Sequence, residues 1–430
     1  MLFFNRNNDN FLKLNFIIIS IFPLLLILGP FLAEIGMIFL ILSYLYLDKF
    51  SFFKKKNSIY LYLILIFYSL LIISSLISEY KLFSLKSSLL YPRFILFSLA
   101  ISFFLMKSDK ILIVILYILL IIFFLLAIDA NFQFFFRENI IGIEINSNRV
   151  SSFFGDELIL GSYLVRLFPL LISLIIFIYY ENLSIKLNFS ILFLFVLIDL
   201  LVLITGERTS FFLIFFQKTL MLFFVPKLRN IIFFNFLVCI VFIFLFINFN
   251  TSIKLRIIED TKKYTKIDFI NKDFRPFTTE HVEIFETSKE MFLNNKVLGV
   301  GPNNFRKLCS KKEYKLDRRF SCSTHPHNFY IQILAECGIL SFLIFSYFYL
   351  SSFRLYFIKT FNKHNQKYKD SFILCLVSFS SNFWPLATSG NFLNNWINMI
   401  MYLPLGFLFS EDSSFSIGSI ALTIPFLYLV

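Results

Sequence analysis

Two of the chain's four histidines, His325 and His327, lie two residues apart in His325-Pro326-His327-Asn328, where a polar loop runs into an apolar stretch. Imidazole is the side chain that most readily takes and returns a proton near neutral pH, so this pair is the first candidate for general acid–base chemistry. The residue before a proline is pushed towards extended backbone, which sets His325 ahead of the helix. Proline suits the first helical position, so the sequence predicts His327 in the first helical turn. There the positive end of the helix disfavours imidazolium and leaves a neutral ring able to accept a proton. The plainer alternative is that both histidines only cap the helix at the level of the lipid headgroups.

Arginine is the second ingredient. Arg208 stands in Thr205-Gly206-Glu207-Arg208-Thr209-Ser210, a tight turn between two apolar blocks. Arg149 lies in Asn148-Arg149-Val150-Ser151-Ser152-Phe153, Arg166 about two turns into the next block, and Arg275 in a long polar loop. A guanidinium is permanently charged and grips phosphate oxygens in a fork, so several of them beside paired histidines point to an anionic substrate such as a diphosphate. Each alone also fits an interface anchor or an ion pair, and Arg208 has Glu207 beside it. After the histidines, Asn328, Gln332 and Glu336 fall at i, i+4 and i+8, a polar stripe down one helix face. In a membrane helix such a stripe faces a wet cavity or forms an interhelical hydrogen-bond seam; the cavity is the reading adopted.

The surroundings that must position these residues are apolar. Of 430 residues, 58% are hydrophobic and 16% charged, and the mean hydropathy is +0.77. Apolar residues come in blocks close to the ~20 residues that cross a bilayer core, so the chain reads as a polytopic membrane protein. Its 64 phenylalanines are spread over every block, as lipid-facing bulk rather than as a site. Spans are expected at roughly 14–29, 31–47, 58–77, 90–106, 111–129, 158–180, 189–205, 210–225, 231–249, 329–353, 371–388 and 396–410, with 417–430 either a thirteenth or interfacial. No small-residue cleavage site follows the first block, so it is expected to remain as the first span. The chain thus divides into residues 1–249 with nine helices, a loop subdomain at 250–328, and 329–430 with the remaining helices.

The formal charge of +13 does not indicate nucleic acid. Much of it sits in Lys54-Lys55-Lys56, Lys107/Lys110, Lys227/Arg229 and Arg354–Lys369, which this span count puts on one side, the cytoplasmic one. The histidines and Arg208 then face outward. P-loop, dinucleotide and zinc-spacing motifs are lacking. Glu280–Phe292 has the spacing of an amphipathic helix within the long loop. Cys309 and Cys322, two of five cysteines, flank a basic stretch there and are either bridged or free. Asp199 and Lys218 lie at similar depth on neighbouring antiparallel spans and are expected to pair, because an unpaired charge there is costly.

These residues together resemble the O-antigen ligase/O-antigen polymerase family of bacterial envelope glycosyltransferases. The resemblance rests on Gly206-Glu207-Arg208-Thr209-Ser210, on Leu298-Gly299-Val300-Gly301-Pro302-Asn303-Asn304-Phe305, and on His325-Pro326-His327-Asn328 with Gly338 after nine further residues. It runs from about Arg149 to Phe345. Ser341 stands where the family has Gly, Thr or Tyr, Glu207 where a small or polar residue is common, and His281 where a tryptophan is often found.

The resemblance implies an all-α, GT-C-like polytopic protein of the bacterial inner membrane, with about 12 transmembrane helices and a large, mostly helical periplasmic loop. It implies an inverting, metal-independent glycosyltransferase that uses no cofactor. Its partners would be membrane lipids, an undecaprenyl-diphosphate-linked glycan as donor, and an acceptor glycan or lipid A-core. By the same carry-over His327 would be the general base, and Arg208, with Arg275 and Arg149, would hold the diphosphate. His325 would orient the site or bind sugar; Arg166, Asn328 and Gln332 are further substrate-binding candidates. Polymerase and ligase are equally compatible with these motifs. A transporter or flippase of lipid-linked oligosaccharide is the reading from another class, but it would spread polar residues through mid-membrane, whereas here they gather at one face.

Overall fold

The computed structural model describes residues 6–48, 59–145, 149–249, 254–259, 266–268, 273–275, 277–315, 319–361 and 366–411. It is an all-α polytopic membrane protein. Every expected span from 14–29 to 396–410 coincides with a helix: α1 (Arg6–Leu28), α2 (Pro30–Asp48), α3 (Ile59–Ile77), α5 (Arg93–Leu105), α6 (Lys110–Phe136), α7 (Leu160–Tyr179), α8 (Ile185–Thr205), α9 (Arg208–Phe224), α10 (Arg229–Phe249), α13 (Phe329–Phe361), α14 (Gln366–Asn382) and α15 (Asn395–Glu411). Among the described residues, eight helical segments are long and apolar enough to cross a membrane. The shorter α9, α14 and α15 have 17 residues each, about 25 Å at the usual helical rise, just under a bilayer core. The short α4 (Lys81–Leu89) was not expected, because its serines and lysines break the apolar pattern. Residues 417–430 and Lys54-Lys55-Lys56 lie outside the described residues.

The long loop departs from the helical expectation in part. It holds α11 (Thr279–Asn294), capped by Thr278, and the single turn α12 (Phe305–Leu308). It also holds an antiparallel hairpin of β1 (Lys266–Asp268) and β2 (Asp273–Arg275), too short to leave a periodicity in the sequence. Cys309 and Cys322 are bridged, with Cα atoms 5.1 Å apart.

At the centre of the bundle α7 is buried along nearly its whole length, and α14 packs against it through small hydroxyl residues. Ser173 and Ser371 hydroxyls lie 2.6 Å apart, and Ser378 Oγ donates to the Arg166 carbonyl at 2.9 Å. Lipid supplies little hydrophobic drive between helices, so close approach of small residues and such bonds hold them together. The expected Asp199–Lys218 pair is present: Lys218 Nζ donates to both carboxylate oxygens at 2.9 and 3.0 Å and to Asn235 Oδ1 at 3.0 Å. Asn235 closes the triad on Asp199 at 2.8 Å, so every charge in this buried cluster is compensated.

Basic turns gather at one end. Lys227 Nζ donates to the Tyr180 carbonyl at 2.9 Å, Lys367 lies 4.2 Å from the Phe177 ring, and Tyr179 meets Tyr117 of the helix that begins at Lys110. The histidines and Arg208 lie at the other end.

Candidate active site

Three local devices assemble the site. The first is the start of α13. Asn328 caps it, its Oδ1 accepting from the backbone N–H groups of Tyr330 at 3.0 Å and Ile331 at 3.1 Å. The helix therefore begins at Phe329, and the expectation of His327 in its first turn is corrected: His327 precedes the cap, in left-handed backbone at φ 58°. Asn328 Nδ2 donates to the Pro385 and Ala387 carbonyls, and Ser389 N donates to the His327 carbonyl at 2.8 Å. The histidine loop is thereby fastened to the α14–α15 connection.

The second device explains the glycine motif. Helix α13 breaks at Gly338, whose φ 76° and ψ −179° free the carbonyls of the preceding turn. Val300 N donates to the Ala335 carbonyl at 3.0 Å, Gly301 N to the Glu336 carbonyl at 2.8 Å, and Ile339 N to the Lys296 carbonyl at 2.9 Å. A Cβ on Gly299 would come within 2.4 Å of the Glu336 carbonyl carbon, and one on Gly338 within 2.1 Å of the Val297 oxygen. Only glycine lets the two backbones meet this closely. Glu336 completes the joint, accepting from Asn303 N at 2.9 Å and Phe305 N at 3.0 Å. Gln332 donates to Glu336 and Asn391 and accepts from Phe392 N at 2.8 Å. The stripe of Asn328, Gln332 and Glu336 is thus a buried hydrogen-bond seam rather than a cavity wall, because its bonds run within the helix and to distant loops at Asn303, Phe305, Pro385, Ala387, Asn391 and Phe392. Asn328 and Gln332 position the site without lining it.

The third device is Glu207. It precedes α9 and reaches across to the start of α7, accepting from Gly161 N at 2.9 Å, Ser162 N at 3.0 Å and Ser210 Oγ at 2.9 Å. A carboxylate at a helix N-terminus satisfies donors that have no partner inside the helix. Arg149 lies 3.8 Å from Glu207 and donates to the Leu158 carbonyl at 3.2 Å. Burial pushes the Glu207 carboxyl up, Arg149 and the three donors pull it back, and burial lowers Arg149. Arg149 therefore ties the loop to Glu207.

These devices surround a cavity of about 1270 Å³ lined by His281, His327, Arg166, Glu207, Arg306 and Thr209, among others. The His327 ring packs 4.1 Å from His325 and 5.4 Å from His281. His325 Nε2 faces the Ser389 carbonyl at 3.3 Å and its Nδ1 the Thr324 hydroxyl at 2.9 Å. A carbonyl only accepts, so Nε2 carries the hydrogen and both nitrogens are engaged. His325 holds the loop and does not line the cavity. Burial first, then His327, lowers His325 to about 3; burial first, then His281, lowers His327 to about 4. His281 is lowered by burial and by the charge of Arg208. All three rings are neutral at neutral pH, and that of His327, 3.0 Å from Ser323 Oγ, faces the cavity.

Arg166 is buried at the cavity wall, donating to Ser162, and its Nε has no partner among the described residues. Half-buried Arg208 opens α9 close enough to act on both His281 and Arg149. A neutral imidazole and several guanidinium groups thus meet at one site, which suits proton removal beside a stabilised anion.

Residues 191–346 match the family model described as O-antigen ligase. Over this stretch the chain is similar to the O-antigen ligase family. No curated protein matches the chain. The match supports an O-antigen ligase/polymerase-type membrane enzyme acting on a lipid-linked glycan and an acceptor. It spans α8 to the first half of α13, hence Arg208, the glycine motif, His327 and Gly338, while Arg149 and Arg166 lie outside it.

Of the expected site residues the structure places His327 and Arg166 on the cavity wall, Arg208 near His281 and Arg149 but off that wall, and Arg149 and His325 behind it as supports. Arg275 falls in β2, and its side chain lies outside the described residues. Arg306 was missed. It follows Asn303-Asn304-Phe305 directly, and a basic residue just after the glycine motif was the signal available. Glu34 and Arg93, also on the cavity wall, left no signal, because they are far from the motifs in the chain.

Proposed function

We propose that the chain is an inverting glycosyltransferase that moves glycan from an undecaprenyl-diphosphate donor to an acceptor hydroxyl at the periplasmic face of the bacterial inner membrane. The observation that carries this reading is that neutral His327 and buried Arg166 line one cavity with His281, and that Arg208 lies close to His281. His327 takes the acceptor proton as the hydroxyl oxygen attacks the anomeric carbon. The bond from that carbon to the diphosphate breaks on the opposite face, so the anomeric centre inverts. The electron pair leaves on the diphosphate, which Arg166, Arg208 and Arg306 stabilise; guanidinium charge takes the part a metal would otherwise play. The leaving group stays on its membrane anchor. The gathering of basic turns at the opposite end supports the outward orientation.

Replacing His327 with alanine in the native host, and following surface polysaccharide, tests this function. Loss of polymer length marks a polymerase, and full-length polymer stranded on its lipid carrier marks a ligase. Polysaccharide of unchanged amount and length distribution would overturn the assignment.

A further inference from the structure

The cavity extends well beyond the histidines. At about 1270 Å³ it exceeds the ~300–1,000 Å³ of ordinary ligand pockets, so it has room for more than the reacting centre. Its lining includes a second polar group drawn from the start of α2, the start of α5 and the start of α15, all outside the segment that matches the family model. Arg93 Nη2 donates to Asn395 Oδ1 at 2.7 Å and lies 3.2 Å from Glu34 Oε1. Asn395 Nδ2 returns a bond to Glu34 Oε2 at 2.9 Å. The three side chains form a closed ring of bonds, yet Arg93 Nε has no partner among the described residues, and the Glu34 side chain is still 29% exposed. Trp396, next in the chain, is held by a bond from its Nε1 to the Leu26 carbonyl at 2.9 Å and also lines the cavity.

We infer that Glu34, Arg93 and Asn395, beside the Trp396 ring, form a sugar-binding subsite that takes neutral hydroxyls of the acceptor glycan. Within the cluster the Arg93 charge is offset by Glu34, which suits hydroxyl groups rather than a dianion. Hydroxyls both donate and accept, and the cluster offers both: acceptor lone pairs on Glu34 and a donor on Arg93. The small part of the fixed Trp396 indole that reaches the cavity gives the apolar side of a sugar ring a contact. Preformed side chains lose little freedom on binding, which favours affinity. Assigning this glycan as the acceptor rests on the transferase reading above; the binding itself does not.

Trp396 supplies the test, since the chain has only two tryptophans. A Trp384→Phe protein in detergent leaves Trp396 as the sole reporter. The probe is the native host's surface glycan, freed from its lipid by mild acid so that no diphosphate remains. A saturable change in emission is expected. Glu34→Gln, Asn395→Ala or Arg93→Lys, each first checked for cooperative thermal unfolding, should each raise the apparent Kd about tenfold, as loss of a hydrogen bond to a charged group does. Ser341→Ala, a buried hydroxyl off the cavity wall, should leave it unchanged. No saturable change up to about 10 mM glycan, or the same Kd in the folded variants as in the parent, overturns the subsite. If the variants behave as expected while His327→Ala still transfers glycan at the wild-type rate, the transferase reading fails and the binding site stands.

Discussion

Replacing Gly338 with alanine tests how the glycine motif builds the site. Its φ 76° and ψ −179° fall where essentially only glycine is found, a cost of about 1–3 kcal/mol for a residue with a Cβ. That Cβ would lie 2.1 Å from the Val297 oxygen, so helix α13 and the Lys296–Gly301 segment must separate. Separation breaks the bonds from Val300 N, Gly301 N and Ile339 N, each worth about 0.5–1.5 kcal/mol net. Together these give roughly 3–7 kcal/mol, a large share of the ~5–15 kcal/mol that holds a typical domain folded. The effect should also be functional, because the same joint sets Asn303 and, through it, the α12 turn that carries Arg306. The assay pairs thermal unfolding of the purified protein in detergent with glycan transfer. Gly338→Ala should unfold well below wild type and transfer little or nothing. Ser341→Ala, one turn further on, removes a buried hydroxyl without a partner among the described residues and should change neither measurement. Wild-type stability and activity in Gly338→Ala would refute the docked-backbone account.

Other perturbations separate the remaining interactions. Lys218→Met strands Asp199 and Asn235 in the bundle and should cost about 3–5 kcal/mol, whereas the double change Asp199→Leu/Lys218→Met should recover much of that loss in chemical denaturation; equal losses would contradict a coupled pair. His327 must be neutral to accept a proton, so activity should fall on the acid side as pH drops through about 4. A protonated His281 opposes protonation of His327, while Glu280 favours it; His281→Ala therefore removes a lowering influence and should move the acid limb upward towards 6.5. A pH–rate profile in which that limb stays or moves down would contradict the cluster. Glu207→Ala leaves two α7 N–H groups without their acceptor and releases Arg149, and should reduce both thermal stability and transfer; a variant equal to wild type in both would show that the cap is dispensable.

Much of the architecture was legible because membrane helices announce themselves by length and composition. Depth counting also paired Asp199 with Lys218, since both lie on neighbouring spans joined by a short turn. Where the reading went astray, the deciding partners lay far away in the chain. Asn328, Gln332 and Glu336 do share a helix face, but whether that face meets water or amide groups depends on Asn303 and Asn391, which periodicity on one helix cannot reveal. The placement of His327 turned on a weighing of local signals: Pro326 suits a first helical position, but the asparagine before the apolar run is the stronger stop, and it became the cap. Glu207, a departure from the family pattern, proved to be the tie between α7 and α9. The meeting of Arg93 with Glu34 and Asn395 depends on packing among α2, α5 and α15, and no motif marks it.

The most direct measurement of the central claim is the rate at which purified protein transfers glycan from lipid-linked donor extracted from the native host, wild type against His327→Ala. Loss of a positioned base should lower that rate by about 10²–10⁴-fold while the variant keeps its fold. A folded His327→Ala protein that transfers glycan at the wild-type rate would contradict the account.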